Sequence, residues 1–212
     1  MVSSWLGAGV VAALIGTVAT PVLTTRGLAQ LARHEAGSRN LRLAGALGGG
    51  TAGAAATVTS YRAATWWLLP ALLVWGCALV AAACCDAGTQ RVPTSLVRRG
   101  ALVTSALLAI GLGIQSDWPG LVISGIAALA SGLTLLLCWR FAGAGFGDVR
   151  LATLGGLGLG HATHRGLLVA LAAFALITVT QAVIILMRGG NRRSTFPYGP
   201  ALAIGFLLAA SL

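Results

Sequence analysis

The 212-residue sequence has no lysine and little charge of any kind, with 14 basic residues, all arginine, against four acidic ones. Charged residues make up 8% of the chain, whereas an average soluble domain has about 25%. Hydrophobic residues make up 57%, and the mean hydropathy is +0.90. This composition excludes a soluble enzyme, a nucleic-acid-binding domain and a disordered tail, and it indicates a polytopic membrane protein.

The sequence also lacks CxxC spacing, and no cluster of cysteine and histidine fits a zinc site. Its cysteines lie in or at the end of apolar runs, which predicts small buried side chains and neither a disulfide nor a metal site. We therefore expect no metal and no cofactor. The first apolar run has no basic segment ahead of it, which predicts an uncleaved first span. The four cysteines are Cys77, Cys84, Cys85 and Cys138.

Long apolar runs predict an all-α bundle with about eight transmembrane spans, because a helix needs about 20 apolar residues to cross the hydrocarbon core. The sixth run is short, at about 12 residues, and suits a helix that begins inside the bundle. We divide the chain into a two-span N-terminal segment, 1–62, and a membrane core, 63–212. The runs are roughly 5–24, 42–60, 64–85, 98–115, 119–139, 149–160, 165–187 and 197–212.

The arginines predict the orientation of the spans. When the loops alternate across the membrane, twelve arginines fall on one side and only Arg62 and Arg165 on the other. The positive-inside rule makes the first side cytoplasmic, so both termini are expected to face outward. Topology thus explains the basic charge, and no nucleic-acid partner is predicted. The twelve are Arg26, Arg33, Arg39, Arg42, Arg91, Arg98, Arg99, Arg140, Arg150, Arg188, Arg192 and Arg193.

The second span carries two overlapping GxxxG steps, formed by Gly45, Gly49 and Gly53. Small residues at this spacing let helices approach closely in lipid. The pattern predicts tight packing, either within the bundle or between two copies of a homo-oligomer.

Two of the four acidic residues have simple structural explanations. Glu35 lies in an arginine-bearing loop, and Asp117 is expected to cap the fifth helix. Asp86 ends the third run and Asp148 begins the short sixth one, so both are expected at the cytoplasmic edge of the hydrocarbon. Acids at that depth are functional candidates. The alternative is that each reaches for water, with Asp148 capping its helix and Asp86 paired with Arg91.

A pair of aspartates can hydrolyse a peptide bond. Two carboxyls a few ångströms apart share one proton, so that the ionised one activates water and the protonated one donates to the carbonyl oxygen. The helix dipoles favour Asp148 as the anion and Asp86 as the acid. Gly145 and Gly147, beside Asp148, are expected to take positive φ values and to let a substrate backbone approach.

Three elements, in order, resemble the type IV prepilin peptidases, a family of GxGD intramembrane aspartyl proteases. The resemblance spans about residues 64–205. Residues 145–151, Gly-Phe-Gly-Asp-Val-Arg-Leu, resemble the GxGD signature, and Asp86 with Arg91-Val92-Pro93 resembles the first catalytic aspartate and its basic-Ile-Pro step. Residues 196–202, Phe-Pro-Tyr-Gly-Pro-Ala-Leu, resemble the C-terminal Pro-Phe-Gly-Pro element.

The resemblance implies a peptidase that removes the short basic leader from prepilins or pseudopilins at the cytoplasmic face of the bacterial plasma membrane, in type IV pilus assembly or protein secretion. Asp86 and Asp148 are its implied catalytic pair. Larger members carry zinc-binding CxxC pairs linked to N-methylation, but loop 25–41 has no cysteine. We therefore expect no methyltransferase activity. Substrate-binding or site-shaping roles are expected for Gly145, Phe146, Gly147, Arg91, Pro93, Pro197, Tyr198, Gly199 and Pro200. For Pro197 and Pro200, a role only in starting the last helix is equally allowed.

Two other functions fit parts of the sequence. A small transporter or channel would use the same acids as a proton or cation relay, with the sixth run as a broken helix. Both acids lie at one edge and not at the midplane, which weakens that alternative. An inert scaffold built on the GxxxG face would leave the paired acids without a role.

Overall fold

The computed structural model describes residues 2–31, 39–64, 66–142, 145–187 and 197–212. These ranges form eight helices and no strand, which confirms the predicted all-α class. Of the residues singled out in the sequence, Arg33, Glu35, Arg188, Arg192, Arg193 and Phe196 lie outside the described ranges. The helices are α1 (Val2–Gln30), α2 (Arg39–Arg62), α3 (Leu68–Thr89), α4 (Thr94–Ile114), α5 (Trp118–Ala142), α6 (Phe146–Leu157), α7 (His164–Met187) and α8 (Gly199–Ser211).

Five of the helices in the described ranges, α1, α3, α4, α5 and α7, are long and apolar enough to cross a membrane. Their outward faces carry exposed leucine, isoleucine and valine side chains, which suits contact with lipid. The protein is therefore a membrane protein. The count of eight crossings stays a prediction, because α6 and α8 have only 12 and 13 residues and α2, with 24, is not apolar enough to count as a span.

The ends of the helices meet in two groups, so the chain runs up and down through the bundle. At one end, Asp117 faces His161 at 3.6 Å, and Arg62 donates a hydrogen bond to the carbonyl oxygen of Ser211. At the other end, Ser95 donates a hydrogen bond to Gln30. We call the latter the aspartate end, because Asp86 and Asp148 also lie there.

Helix α3 is the centre of the bundle. It is apolar on all sides, and a helix of that kind is buried in the interior of a protein. It contacts α1, α2, α4, α6 and α8. Its Trp75 and Leu79 are almost completely inaccessible. Asp86 thus stands on the most enclosed helix of the described chain.

The glycine face of α2 packs against α1 of the same chain. A Cβ atom at Gly49 would lie 2.1 Å from the carbonyl oxygen of Gly16, and one at Gly53 would lie 2.3 Å from that of Ala12. The GxxxG steps therefore serve packing within the bundle, the first of the two alternatives. A homo-oligomer would need a different surface.

Three cysteines, Cys77, Cys84 and Cys85, are buried on α3 as predicted. Cys138 is exposed, and the prediction for it is wrong. It lies on α5, a helix whose apolar residues cover most of its circumference, so an apolar run alone does not reveal which side faces the core.

Candidate active site

Asp86 lies in the last turn of α3, which extends to Thr89, beyond the predicted end of that span at about residue 85. Its side chain is only 5% exposed. Its Oδ2 atom accepts a hydrogen bond from the backbone N–H of Gly199 at 2.9 Å. Among the residues that the structure describes, it forms no ion pair, so the alternative pairing with Arg91, an exposed residue, is wrong.

Gly199 is the first residue of α8, and its lack of a side chain allows Asp86 to approach its backbone N–H. A Cβ atom there would lie 2.8 Å from Oδ2 of Asp86 and 2.9 Å from its Cβ. The first turn of a helix has unpaired N–H groups and a partial positive charge, both of which favour an anion. Helix α8 thus directs its N-terminus at Asp86.

Asp148 is the third residue of α6, which begins at Phe146, three residues before the predicted start at about 149. Its Oδ2 atom accepts a hydrogen bond from the backbone N–H of Gly145 at 3.1 Å, and its own N–H donates to the Gly145 carbonyl at 3.0 Å. Asp148 therefore stabilises the start of α6, with Gly145 as the N-cap residue. Its side chain is 6% exposed.

The two glycines beside Asp148 do not use positive φ angles, so that expectation is wrong. Gly145 has φ −72°, and Gly147 lies within α6. Their small size serves close packing. A Cβ atom at Gly147 would lie 3.0 Å from Cβ of Val92, in the short link between α3 and α4. The glycine lets α6 begin directly against that link.

The two carboxyl groups belong to one cluster. The charge of Asp86 acts on Asp148, and α3, α6 and α8 contact one another pairwise. Tyr198, which precedes α8, joins the cluster: burial raises the pKa of its hydroxyl, and negative charge on the Asp148 carboxyl and on the Cys138 sulfur raises it further. We call Asp86, Asp148, Tyr198 and Gly199 the aspartate site.

The other predicted residues surround this site and position its helices. Pro93 is buried as the N-cap of α4, and Pro200 occupies the first turn of α8, beside the half-buried Pro197. Phe146 is partly exposed, packs edge-on against Trp139 at 5.5 Å, and lies under the Arg150 guanidinium at 4.8 Å. None of these side chains has a hydrogen bond to either aspartate among the described contacts.

A positioning contact that the sequence does not reveal joins α3 to α6. The indole N–H of Trp75 donates a hydrogen bond to the Leu154 carbonyl at 2.8 Å. A Cβ atom at Gly158 would lie 2.4 Å from the same indole ring, and one at Gly156 would lie 2.5 Å from the Ala127 carbonyl on α5. The glycines in this stretch were the one sequence feature that pointed to close packing here, since they allow α6 to be enclosed by its neighbours.

Two enclosed carboxyls that interact can hold one proton between them, which is the state that general acid–base chemistry requires. Each accepts an N–H from a helix N-terminus, Asp148 from α6 and Asp86 from α8. At Asp86 the N-terminus of α8 opposes the unfavourable dipole of the α3 C-terminus, so the dipoles no longer distinguish Asp148 as the anion.

Comparison with known proteins adds no relative to this description. No family model, curated protein or solved structure matches the chain. The aspartate site and the sequence motifs around it are therefore the basis for a function.

Proposed function

We propose that the protein is a membrane-embedded aspartic endopeptidase that removes the short basic leader from type IV prepilins or pseudopilins. The observation that carries the proposal is the pairing of Asp86 and Asp148. They are the two buried acids of the described chain, they come from α3 and α6, and their charges interact. Burying two carboxyls whose charges act on each other is costly, and such a cost marks a candidate functional site.

In the proposed reaction, the pair shares one proton before the substrate arrives. The ionised carboxylate accepts a proton from water as the water oxygen bonds to the scissile carbonyl carbon, and the protonated carboxyl donates to the carbonyl oxygen. The tetrahedral gem-diol then collapses: one hydroxyl returns its proton to the ionised carboxylate as the C=O bond re-forms, the C–N bond breaks, and the proton on the other carboxyl passes to the leaving amine. The pair thus again holds one proton. The products are the leader with a new carboxyl terminus and a pilin with a new amino terminus.

The motifs around the aspartates support the choice of substrate. The GxGD-like stretch at 145–148, the Arg91-Val92-Pro93 step and the stretch at 197–200 all lie at the aspartate end, where the arginine distribution predicts the cytoplasm. Prepilin leaders are cut on that side, just before a hydrophobic segment. We propose the bacterial plasma membrane as the location, with roles in type IV pilus assembly or protein secretion.

Co-expression with a prepilin tests the proposal. We expect a shorter pilin with the native chain, and loss of cleavage with Asp86→Asn and with Asp148→Asn. Asp117→Asn is the matched control, because Asp117 lies at the opposite end beside His161. Cleavage that persists in either aspartate-site variant would reject the proposal.

The variants also need a test of folding. Asparagine keeps an oxygen that can accept the N–H of Gly199 or Gly145, and it removes the cost of burying a charge. We therefore expect both variants to melt at the native temperature or above it, as is common when a functional buried charge is removed. Loss of cleavage together with a lower melting temperature would indicate a structural role instead.

A liposome assay separates the peptidase from the relay hypothesis. The purified protein should cleave prepilin in liposomes without dissipating an imposed pH gradient. A gradient that collapses in an Asp86-dependent manner, with no cleavage, would favour the relay.

A further inference from the structure

A groove of about 380 Å³ lies between α1, α3 and α4, and none of its lining residues belongs to the aspartate site. From α1 it is lined by residues spaced three or four positions apart, which places them on one face of the helix. These are Ile15, Ala19, Leu23, Arg26 and Gln30. The other walls come from apolar positions of α3, such as Leu73 and Cys77, and from the first half of α4.

One end of the groove is basic. Arg26 is four residues from the end of α1, and Arg99 is five residues from the start of α4. At 1.5 Å per residue, both lie about 6–8 Å from the aspartate end. Both are exposed, and neither forms an ion pair with a carboxylate of the described residues. The three acidic residues that the structure describes are absent from the lining.

The apolar part of the groove has the length of one leaflet. Ile15 and Arg26 are eleven positions apart on α1, which corresponds to about 16 Å of helix. Half of a typical hydrocarbon core is about 15 Å. An acyl chain that starts at the arginines would therefore follow the groove to the middle of the bilayer.

We propose that this groove binds an anionic phospholipid, with its phosphate against Arg26 and Arg99 and one acyl chain along the apolar walls. The charge favours an anionic headgroup, and it would repel a basic peptide segment. Basic pockets between membrane helices on the cytoplasmic side bind anionic headgroups in this manner. The site does not depend on the proposed peptidase activity.

Binding is expected to hold α1 against α4, since these two helices contact each other sparsely. The lipid would thus add a connection between α1 and α4 to the contacts that α1 already makes with α3. In neutral detergent, phosphatidylglycerol should raise the melting temperature of the protein. Phosphatidylcholine with the same acyl chains and free inorganic phosphate should leave it unchanged, because one lacks net charge and the other lacks the chain.

The decisive variant is Arg26→Gln with Arg99→Gln. From the attraction of single basic residues to anionic lipid, we expect an affinity for phosphatidylglycerol about 30-fold lower. Arg98→Gln with Arg165→Gln is the matched control, because it removes the same charge from exposed positions that do not line the groove. The melting temperature of the control should rise with phosphatidylglycerol as much as that of the native protein.

A second variant tests the apolar part and leaves both arginines in place. Ala19→Phe fills the groove beside Leu23, and we expect it to remove the response to phosphatidylglycerol. Equal stabilisation by phosphatidylcholine or by phosphate would overturn the proposal. So would an equal loss in the Arg98/Arg165 control, or a native response in Ala19→Phe.

Discussion

The backbone N–H of Gly199 donates a hydrogen bond to Oδ2 of Asp86 across 113 positions of sequence. The contact joins the first turn of α8 to the last turn of α3. It fixes the orientation of the carboxyl group, and it directs the partial positive charge of a helix N-terminus at that group. The geometry of the aspartate site therefore depends on where α8 begins.

Replacing Gly199 tests this dependence. In Gly199→Ala, the new methyl group would lie 2.8 Å from Oδ2 of Asp86, so α8 must move away from α3. A displacement of about 1 Å at a catalytic group costs about 100-fold in rate. We expect prepilin cleavage by the purified variant to fall by that factor in a timed gel assay.

Gly125→Ala is the control, because a Cβ atom there has no neighbour within 4 Å. It should cleave at the native rate. Native activity in Gly199→Ala would show that the contact between α8 and Asp86 is not needed for catalysis.

The proposed sharing of a proton predicts a bell-shaped dependence of kcat on pH. At low pH a second proton binds and removes the general base, and at high pH the shared proton is lost and removes the general acid. Both limbs belong to the pair and not to one of its members. Initial rates measured across the pH range would test this, and a profile without an acidic limb would contradict the mechanism.

The hydrogen bond from Trp75 to Leu154 predicts a large effect on stability. Trp75→Phe removes the buried indole N–H, so the Leu154 carbonyl oxygen loses the hydrogen bond that this group donates. An unsatisfied buried polar group costs about 1–3 kcal/mol, so the melting temperature should fall clearly.

Trp118→Phe is the matched control for Trp75→Phe, since Trp118 is 62% exposed. Exposed substitutions of this kind change stability by about 0.5 kcal/mol or less. Equal melting of the two variants would show that the link between α3 and α6 contributes little.

The glycine face of α2 predicts that substitution of a packed glycine lowers stability, whereas substitution of an unpacked glycine does not. Gly49→Ala places a methyl group 2.1 Å from the Gly16 carbonyl, which forces α1 and α2 apart. Overpacking of this kind costs about 1–3 kcal/mol. Thermal melting should show the loss in Gly49→Ala and none in Gly7→Ala, where a Cβ atom has open space.

Local patterns predicted most of the helices, because apolar runs and their lengths are local properties. The short α6 and the role of Asp117 as a cap, which accepts the Gly120 N–H at 3.0 Å, are confirmed. The contacts of Gly199 with Asp86 and of Trp75 with Leu154 could not be predicted. Each joins distant segments through a backbone group, and backbone groups are the same at every residue. The prediction of positive φ angles at Gly145 and Gly147 was wrong because glycine permits both close packing and unusual angles, and the sequence does not show which of the two is used.

All four cysteines belong to the described residues, and Cys138 is the exposed one, close enough to Tyr198 for their charges to interact. A lipophilic maleimide dye should therefore label the native chain at a single position beside the aspartate site. The emission of that dye would report the arrival and departure of a pilin in real time, with no engineered residue in the protein.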